Sequence, residues 1–157
     1  MERYDWSRLN HLQVGRFAEY WVKMEFTLWG YEVYTSEVDD RGIDFVVRGG
    51  TRGFMEVQVK SARGLNYIFL PKDRFQLRPD LLAAIVILHE GKAPAHYLVP
   101  ATAWLHPNDL LVDRNYEGLK SPPEYGLNLS VKNMPILEQY EFDKQIQSLL
   151  ALNEGAG

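Results

Sequence analysis

Glu56, Gln58 and Lys60 stand at alternate positions of Phe54-Met55-Glu56-Val57-Gln58-Val59-Lys60. In an extended chain they share one side, because strand side chains alternate between faces. Asp44, Val46 and Arg48 do the same in Gly42-Ile43-Asp44-Phe45-Val46-Val47-Arg48. The remaining positions, Ile43, Phe45 and Val47 with Met55, Val57 and Val59, form a clean apolar face. Between the two segments lies Gly49-Gly50-Thr51-Arg52-Gly53, which reads as a hairpin loop. Pairing across that loop sets Arg48 opposite Phe54, Val46 opposite Glu56 and Asp44 opposite Gln58. A slip of one residue would turn the polar set onto the apolar face, so the pattern defends the register. Opposed Cβ atoms lie roughly 4.5–5.5 Å apart, close enough for Asp44 and Gln58 to hold one ion. Their hard oxygens suit Mg²⁺, which takes one or two carboxylates and completes its octahedron with water and substrate oxygens. Lys60 beside them could orient an attacking water or offset charge on a phosphate. The same residues also fit a solvent-facing hairpin edge, with Glu56 and Lys60 forming a surface ion pair worth ~0–1 kcal/mol.

The elements that would carry these residues follow from periodicity. Residues 7–29 read as a helix capped by Ser7, with Leu9, Leu12, Phe17, Trp21, Met24 and Leu28 as its core stripe. Gly15 weakens its middle and Gly30 ends it. Residues 31–36 and 67–70 read as further strands. Residues 81–89 contain Ala-Ala-Ile-Val-Ile-Leu, a run typical of a strand buried on both faces, and residues 95–99 read as its hairpin partner. Residues 101–132, rich in Pro, Asn, Asp and Gly, read mostly as loop with short strand pieces. Residues 143–152 read as a second helix. The outline is an α/β sandwich around a mixed central sheet, one domain over residues 1–153, with a frayed tail at 154–157.

An Asp opening one strand, a short hairpin, then Gln–x–Lys on the next strand resembles the PD-(D/E)xK nuclease superfamily, whose usual layout adds a Glu on the preceding helix. The matching stretches are Gly15-Arg16-Phe17-Ala18-Glu19-Tyr20-Trp21-Val22, Gly30-Tyr31-Glu32-Val33, Gly42-Ile43-Asp44 and Val57-Gln58-Val59-Lys60-Ser61. Their order is similar to that of Holliday-junction-resolvase-like and very-short-patch-repair-like branches, and of uncharacterised families with a Gln-Val-Lys motif. The similarity covers roughly residues 10–65. It implies a restriction-endonuclease-like core, a mixed central β-sheet flanked by helices, and Mg²⁺- or Mn²⁺-dependent hydrolysis of phosphodiester bonds, in DNA before RNA. By position it makes Asp44 the central metal ligand, Gln58 the occupant of the second-acid position, Lys60 the motif lysine and Glu19 the helix acid. Two departures stand out. Ile43 replaces the proline that often precedes the motif Asp, and Gln58 replaces an acid. An amide is a neutral, weaker ligand for Mg²⁺, so metal affinity falls unless Glu56 or Glu19 compensates. The alternative is therefore a catalytically silent nuclease-fold module that binds nucleic acid or protein. Many nucleases of this kind are dimers, which makes a homodimer compatible with the resemblance.

Charge supports a nucleic-acid partner locally rather than globally. The chain of 157 residues has a formal net charge of −4. From Arg41 to Arg78, however, eight basic side chains face three acidic ones, against nine and eighteen elsewhere. Arg41, Arg63, Lys72 and Arg74 are the candidate phosphate contacts in this window. Tyr67, Phe69 and Phe75 interleave with them and fit either base stacking or the core. Tyr97 and Trp104 read as packing residues. The sequence has no cysteine, which excludes disulfides, thiolate metal sites and a Cys nucleophile, and fits a cytoplasmic setting. No apolar run reaches 18 residues, so no membrane span is expected. The opening Met-Glu-Arg-Tyr-Asp leads into no apolar segment, so no secretory signal is expected. His11, His89, His96 and His106 show no metal-ligand spacing. The glycine-rich loop lacks the Gly-Lys-Ser/Thr ending of a P-loop.

Overall fold

The computed structural model describes residues 2–37, 42–50 and 52–155. Helix α1 spans His11–Leu28. Its start is fixed by a reciprocal capping box: Asn10 Oδ1 accepts from the Gln13 backbone N–H, and Gln13 Oε1 accepts from that of Asn10. Ser7, the expected cap, lies instead in a short 3₁₀ turn, Trp6–Arg8, whose cap is Asp5. The buried row is Val14, Ala18, Val22 and Phe26, flanked by the partly buried Phe17 and Trp21. Leu12, Met24 and Leu28, expected in the core, are 81%, 57% and 79% exposed. The helix has apolar residues on more than one side, and the row bearing Ala18 is the one that meets the sheet.

Among the described residues, the strands form two sheets. In chain order they are β1 Glu32–Tyr34, β2 Phe45–Gly49, β3 Arg52–Arg63, β4 Ile68–Pro71, β5 Leu81–Leu88, β6 Ala95–Pro100, β7 Leu111–Arg114 and β8 Glu124–Leu127. The main sheet runs β1-β2-β3-β5-β6, with β3 and β5 parallel and its other pairs antiparallel. The sheet is therefore mixed, as expected. Every residue of β5 is buried, as its unbroken apolar run requires. Strands β7 and β8, from the segment read mostly as loop, join β4 in a second antiparallel sheet ordered β4-β8-β7. Helices α2 (Met134–Leu137) and α3 (Phe142–Gly155) complete the described chain.

The main sheet separates two apolar cores. On one side α1 and α3 enclose Ala18, Phe26, Phe45, Val57, Ala84 and Phe142. On the other, the second sheet and its loops enclose Leu70, Phe75, Ile85, Trp104 and Leu127. Tyr97 and Trp104 are buried there, consistent with packing roles. Gln58 and Lys60 lie on this second side, level with Ala83 and Ile85.

The hairpin keeps the expected register: Phe45 faces Val57, Val46 faces Glu56 and Val47 faces Met55. A bulge then brings Gly49 opposite Arg52, so the strands run further into the glycine-rich segment than expected. Gly49 is required there, since a Cβ at this position would overlap the Tyr31 ring. Among the described residues, no helix is long and apolar enough to cross a membrane.

Candidate active site

Asp44 stands immediately before β2. Its backbone N–H donates to Val57 O at 3.0 Å, and its Oδ2 accepts from the Val59 backbone N–H at 2.6 Å. These two bonds flank Gln58 and set Asp44 beside it, the juxtaposition that the hydrophobic alternation demands. The carboxylate thus satisfies a strand N–H where β2 has ended. Gly42, two residues earlier, has φ +73°, a left-handed turn that favours glycine. A Cβ there would stand 3.1 Å from Arg74 Cβ, so Arg74 packs against the turn that leads into Asp44.

Gln58 is only 4% exposed and lies level with Ala83 of β5. Its Oε1 is buried and has no hydrogen-bond partner among the described residues. A buried carbonyl oxygen left unpaired costs about 1–3 kcal/mol, so it calls for a donor or a cation. Lys60 follows two residues on, level with Ile85, and is partly buried. Burial lowers its ammonium below the usual lysine range; the Asp44 carboxylate opposes that shift and Arg74 adds to it.

Glu19 reaches the same region from α1. Its carboxylate pairs with Arg16 at 3.3 Å and keeps 21% of its side-chain surface exposed. Glu19 and Asp44 line one cleft of about 250 Å³ together with Arg16, Thr35, Ser36, Glu37 and Ile43. Helix and hairpin therefore bring Glu19 and Asp44 to one cleft, while Gln58 and Lys60 stand beside Asp44 on β3. The oxygens of the first three are of the hard kind that Mg²⁺ or Mn²⁺ takes, and the unpaired Gln58 Oε1 is the feature such an ion would satisfy.

The other candidates have different surroundings. Glu56 pairs with Arg78, which also holds Asp80 at 2.6 Å; the Glu56–Lys60 pair of the hairpin-edge alternative is not made. Arg63 donates to the backbone oxygen of Leu9. Lys72 pairs with Asp113, donates to Asn115 at 2.7 Å and lies 4.6 Å from the centre of the Tyr125 ring. Arg74 is exposed and close enough to act on Lys60. Arg41 lies outside the described residues. Of the three aromatics, Phe75 is wholly buried, Tyr67 bonds Glu124 and Phe69 is 53% exposed.

A second polar cluster escaped the sequence reading. Glu25 of α1, His96 of β6 and Asp143 of α3 offer ligand atoms within 4.8 Å of one another, a set capable in principle of holding a divalent ion. No spacing could reveal it, because each residue comes from a different element. It lies on the helix side of the sheet and is already furnished with donors. Trp21 Nε1–H donates to His96 Nδ1 at 3.1 Å, and Trp29 Nε1–H donates to Asp143 Oδ1 at 3.3 Å. In a neutral ring this makes Nε2 the protonated nitrogen, 3.7 Å from Glu25 Oε2. An ion at Nε2 would have to displace that proton, and one at Nδ1 would have to break the indole bond.

A mixed sheet flanked by helices, with an Asp at the mouth of one hairpin strand and Gln–x–Lys on the next, is consistent with a restriction-endonuclease-like core. The solved structure of a Holliday junction resolvase, Hjc, from the archaeal hyperthermophile Archaeoglobus fulgidus superposes with a TM-score of 0.54. The match covers 85% of this chain and 95% of that one at 16% identity, a level at which the shared feature is the fold. No family model matches the sequence, and no curated protein does.

Proposed function

We propose that this chain is a nuclease-fold module that binds nucleic acid, DNA foremost, with a backbone phosphate seated over Asp44, Gln58 and Lys60. The observation that carries this reading is the unpaired Gln58 Oε1, buried beside the Asp44 carboxylate. A ligand that supplies a cation to this pair removes a standing desolvation cost. Asp44, Gln58 and, from across the cleft, Glu19 would hold a Mg²⁺ or Mn²⁺ ion. Such an ion, when bound, draws charge from a phosphoryl oxygen and acidifies water. Arg74 and the Lys60 ammonium face the phosphate with positive charge. The Holliday junction resolvase of similar fold supports DNA as the first substrate to try.

The second reading adds catalysis: Mg²⁺-dependent hydrolysis of the phosphodiester. Lys60 favours it. Its ammonium is held below the ordinary range by burial, so it gives up a proton more readily than a surface lysine and can hand one to, or take one from, the reacting oxygens. Asp44 fixes the strand backbone at Val59 and, through the same bond, positions the adjacent Lys60.

Two measurements on the same samples test both readings. Fluorescence anisotropy in Ca²⁺ and in EDTA reads binding to labelled DNA with and without a hard cation; gel assays in Mg²⁺ or Mn²⁺ read cleavage. The module reading expects salt-dependent binding that weakens on Lys60→Ala. The catalytic reading expects cleavage abolished by Asp44→Ala and by Lys60→Ala, with both variants folded. Absence of DNA and RNA binding in the wild type would overturn both, while binding without cleavage across linear, tailed and branched substrates would overturn the second.

A further inference from the structure

We infer that the uncovered end of the β2–β3 hairpin is a stacking platform for unpaired bases, formed by Tyr34 and Phe54, next to the phosphate site. The inference rests on the proposed binding of nucleic acid at Asp44 and names the class of substrate: one with unpaired nucleotides beside the bound phosphodiester.

The platform is built by the strand register. Tyr34 on β1 pairs with Val46, and Arg48 pairs with Glu32, which places these side chains on the face that carries Asp44 and Gln58. Phe54, two positions before Glu56, joins them. The rings of Tyr34 and Phe54 meet edge to face with centroids 5.6 Å apart, and the Arg48 guanidinium lies 5.5 Å from the Phe54 centroid. Yet Tyr34 remains 45% exposed and Phe54 54% exposed. Neither ring belongs to either apolar core. Grouped aromatic faces left in water are the surface on which a base can stack.

Geometry favours a nucleotide as the occupant. The platform continues the row of residues that starts at Asp44. Val46, the partner of Tyr34, is two residues from Asp44, or about 7 Å along the strand, which is roughly two nucleotides at stacked spacing. Phe54 is four residues, about 13 Å, from Gln58. A strand whose phosphate rests at Asp44 therefore carries its next bases over the rings. Bases inside a duplex already stack on both faces, so only splayed or single-stranded bases can use an aromatic platform. Arg48 is balanced by Glu32 at 3.0 Å, which leaves the rings themselves, with no surplus charge, as the recognition element. That arrangement reads the π-face and tolerates any base.

The test compares a blunt duplex, a duplex with a short single-stranded tail and a single strand, all labelled alike, by anisotropy in Ca²⁺. The wild type is expected to bind the tailed and single-stranded forms at least about fivefold tighter than the blunt duplex, the scale of one stacked base. Tyr34→Leu with Phe54→Leu keeps apolar volume while removing both rings, and is expected to erase that preference with the thermal midpoint unchanged. Tyr34→Phe is expected to keep it. Equal binding of blunt and tailed duplex by the wild type, or a preference retained in the double variant, would overturn the platform while leaving phosphate binding at Asp44 standing. Failure of every nucleic acid to bind would overturn both. A wild-type dimer in sedimentation that the double variant dissociates would make the rings an interface between copies and overturn the base-stacking assignment.

Discussion

Two polar clusters sit on opposite sides of the same sheet, and they treat their hydrogen bonds in opposite ways. Around His96, Trp21 and Trp29 supply indole N–H groups to the imidazole and to Asp143, and the Phe142 ring packs on the imidazole with centroids 5.2 Å apart. Those contacts cross between elements, so the cluster ties α1, β6 and α3 together. Around Asp44 the carboxylate accepts from Val59, while the neighbouring Gln58 Oε1 is buried with no hydrogen-bond partner among the described residues, and Lys60 bears a desolvated ammonium. By simple inventory the His96 cluster is the better metal candidate, with three ionisable ligands against two carboxylates and an amide. The unpaired Gln58 oxygen is the counter-argument, because stored cost at a site is what a ligand can relieve.

The largest expected effect separates the clusters by activity. On the catalytic reading, Asp44→Ala should reduce Mg²⁺-dependent cleavage by roughly 10³-fold or more, the scale expected when a metal's charge stabilisation of several kcal/mol is lost. Glu25→Gln should leave cleavage within about twofold. Gel assays of initial rate check both, and an Asp44→Ala enzyme as active as Glu25→Gln would invert the comparison.

Next comes stability. His96→Ala strands the Trp21 indole N–H, a loss of about 1–3 kcal/mol that should lower the thermal midpoint by roughly 3–8 °C. Mn²⁺ is expected to raise the midpoint of the wild type and of this variant, and to fail to do so in Asp44→Ala. Differential scanning fluorimetry with and without Mn²⁺ reads all three. A Mn²⁺ effect lost in His96→Ala and retained in Asp44→Ala would hand the metal to the helix-side cluster.

The third test alters the odd residue of the motif. Gln58→Glu supplies a second carboxylate beside Asp44 and should tighten Mg²⁺ binding about tenfold, because ligand charge sets affinity for hard cations. Without metal, two neighbouring carboxylates repel, so the gain should shrink as pH falls and the introduced carboxylate takes up a proton. Calorimetric titration at two pH values measures it. Gln58→Leu should do the reverse, losing metal affinity while gaining stability through removal of the unpaired oxygen.

Much of the hairpin was legible in the sequence because a single constraint governed it. Period-two alternation on both strands left one register that kept Ile43, Phe45 and Val47 with Met55, Val57 and Val59, and the observed pairs Phe45–Val57 and Val46–Glu56 follow it. Helix α1 was less legible. Its apolar residues occupy more than one row, so periodicity alone could not choose between Leu12, Met24 and Leu28 and the buried Val14, Ala18, Val22 and Phe26. Tertiary contact with the sheet made that choice. The second sheet was hidden because β7 and β8 are four residues each and gain their partner, β4, from a distant part of the chain. The cluster of Glu25, His96 and Asp143 left no local trace for the same reason. Glu56 shows the limit of reasoning within one hairpin: its partner, Arg78, arrives from the segment before β5.

The smallest expected effect concerns Lys60, and it sharpens the contrast through pH. Burial holds the folded-state ammonium below its ordinary value, so the unfolded chain binds the proton more tightly than the native one. By linkage, stability then rises with pH across the window between the lowered value and the usual lysine value of about 10.4, and below that window the charged lysine is a standing cost. Lys60→Met removes the charge and keeps an unbranched apolar stem. It should therefore raise the thermal midpoint at pH 7, and the advantage should fade as pH climbs towards the lysine range. Denaturation curves of both proteins between neutral and alkaline pH measure the crossing. An advantage that stays constant with pH would mean that packing, rather than a desolvated charge, sets the difference. Lys60 would then lose the property that distinguishes it from a surface lysine.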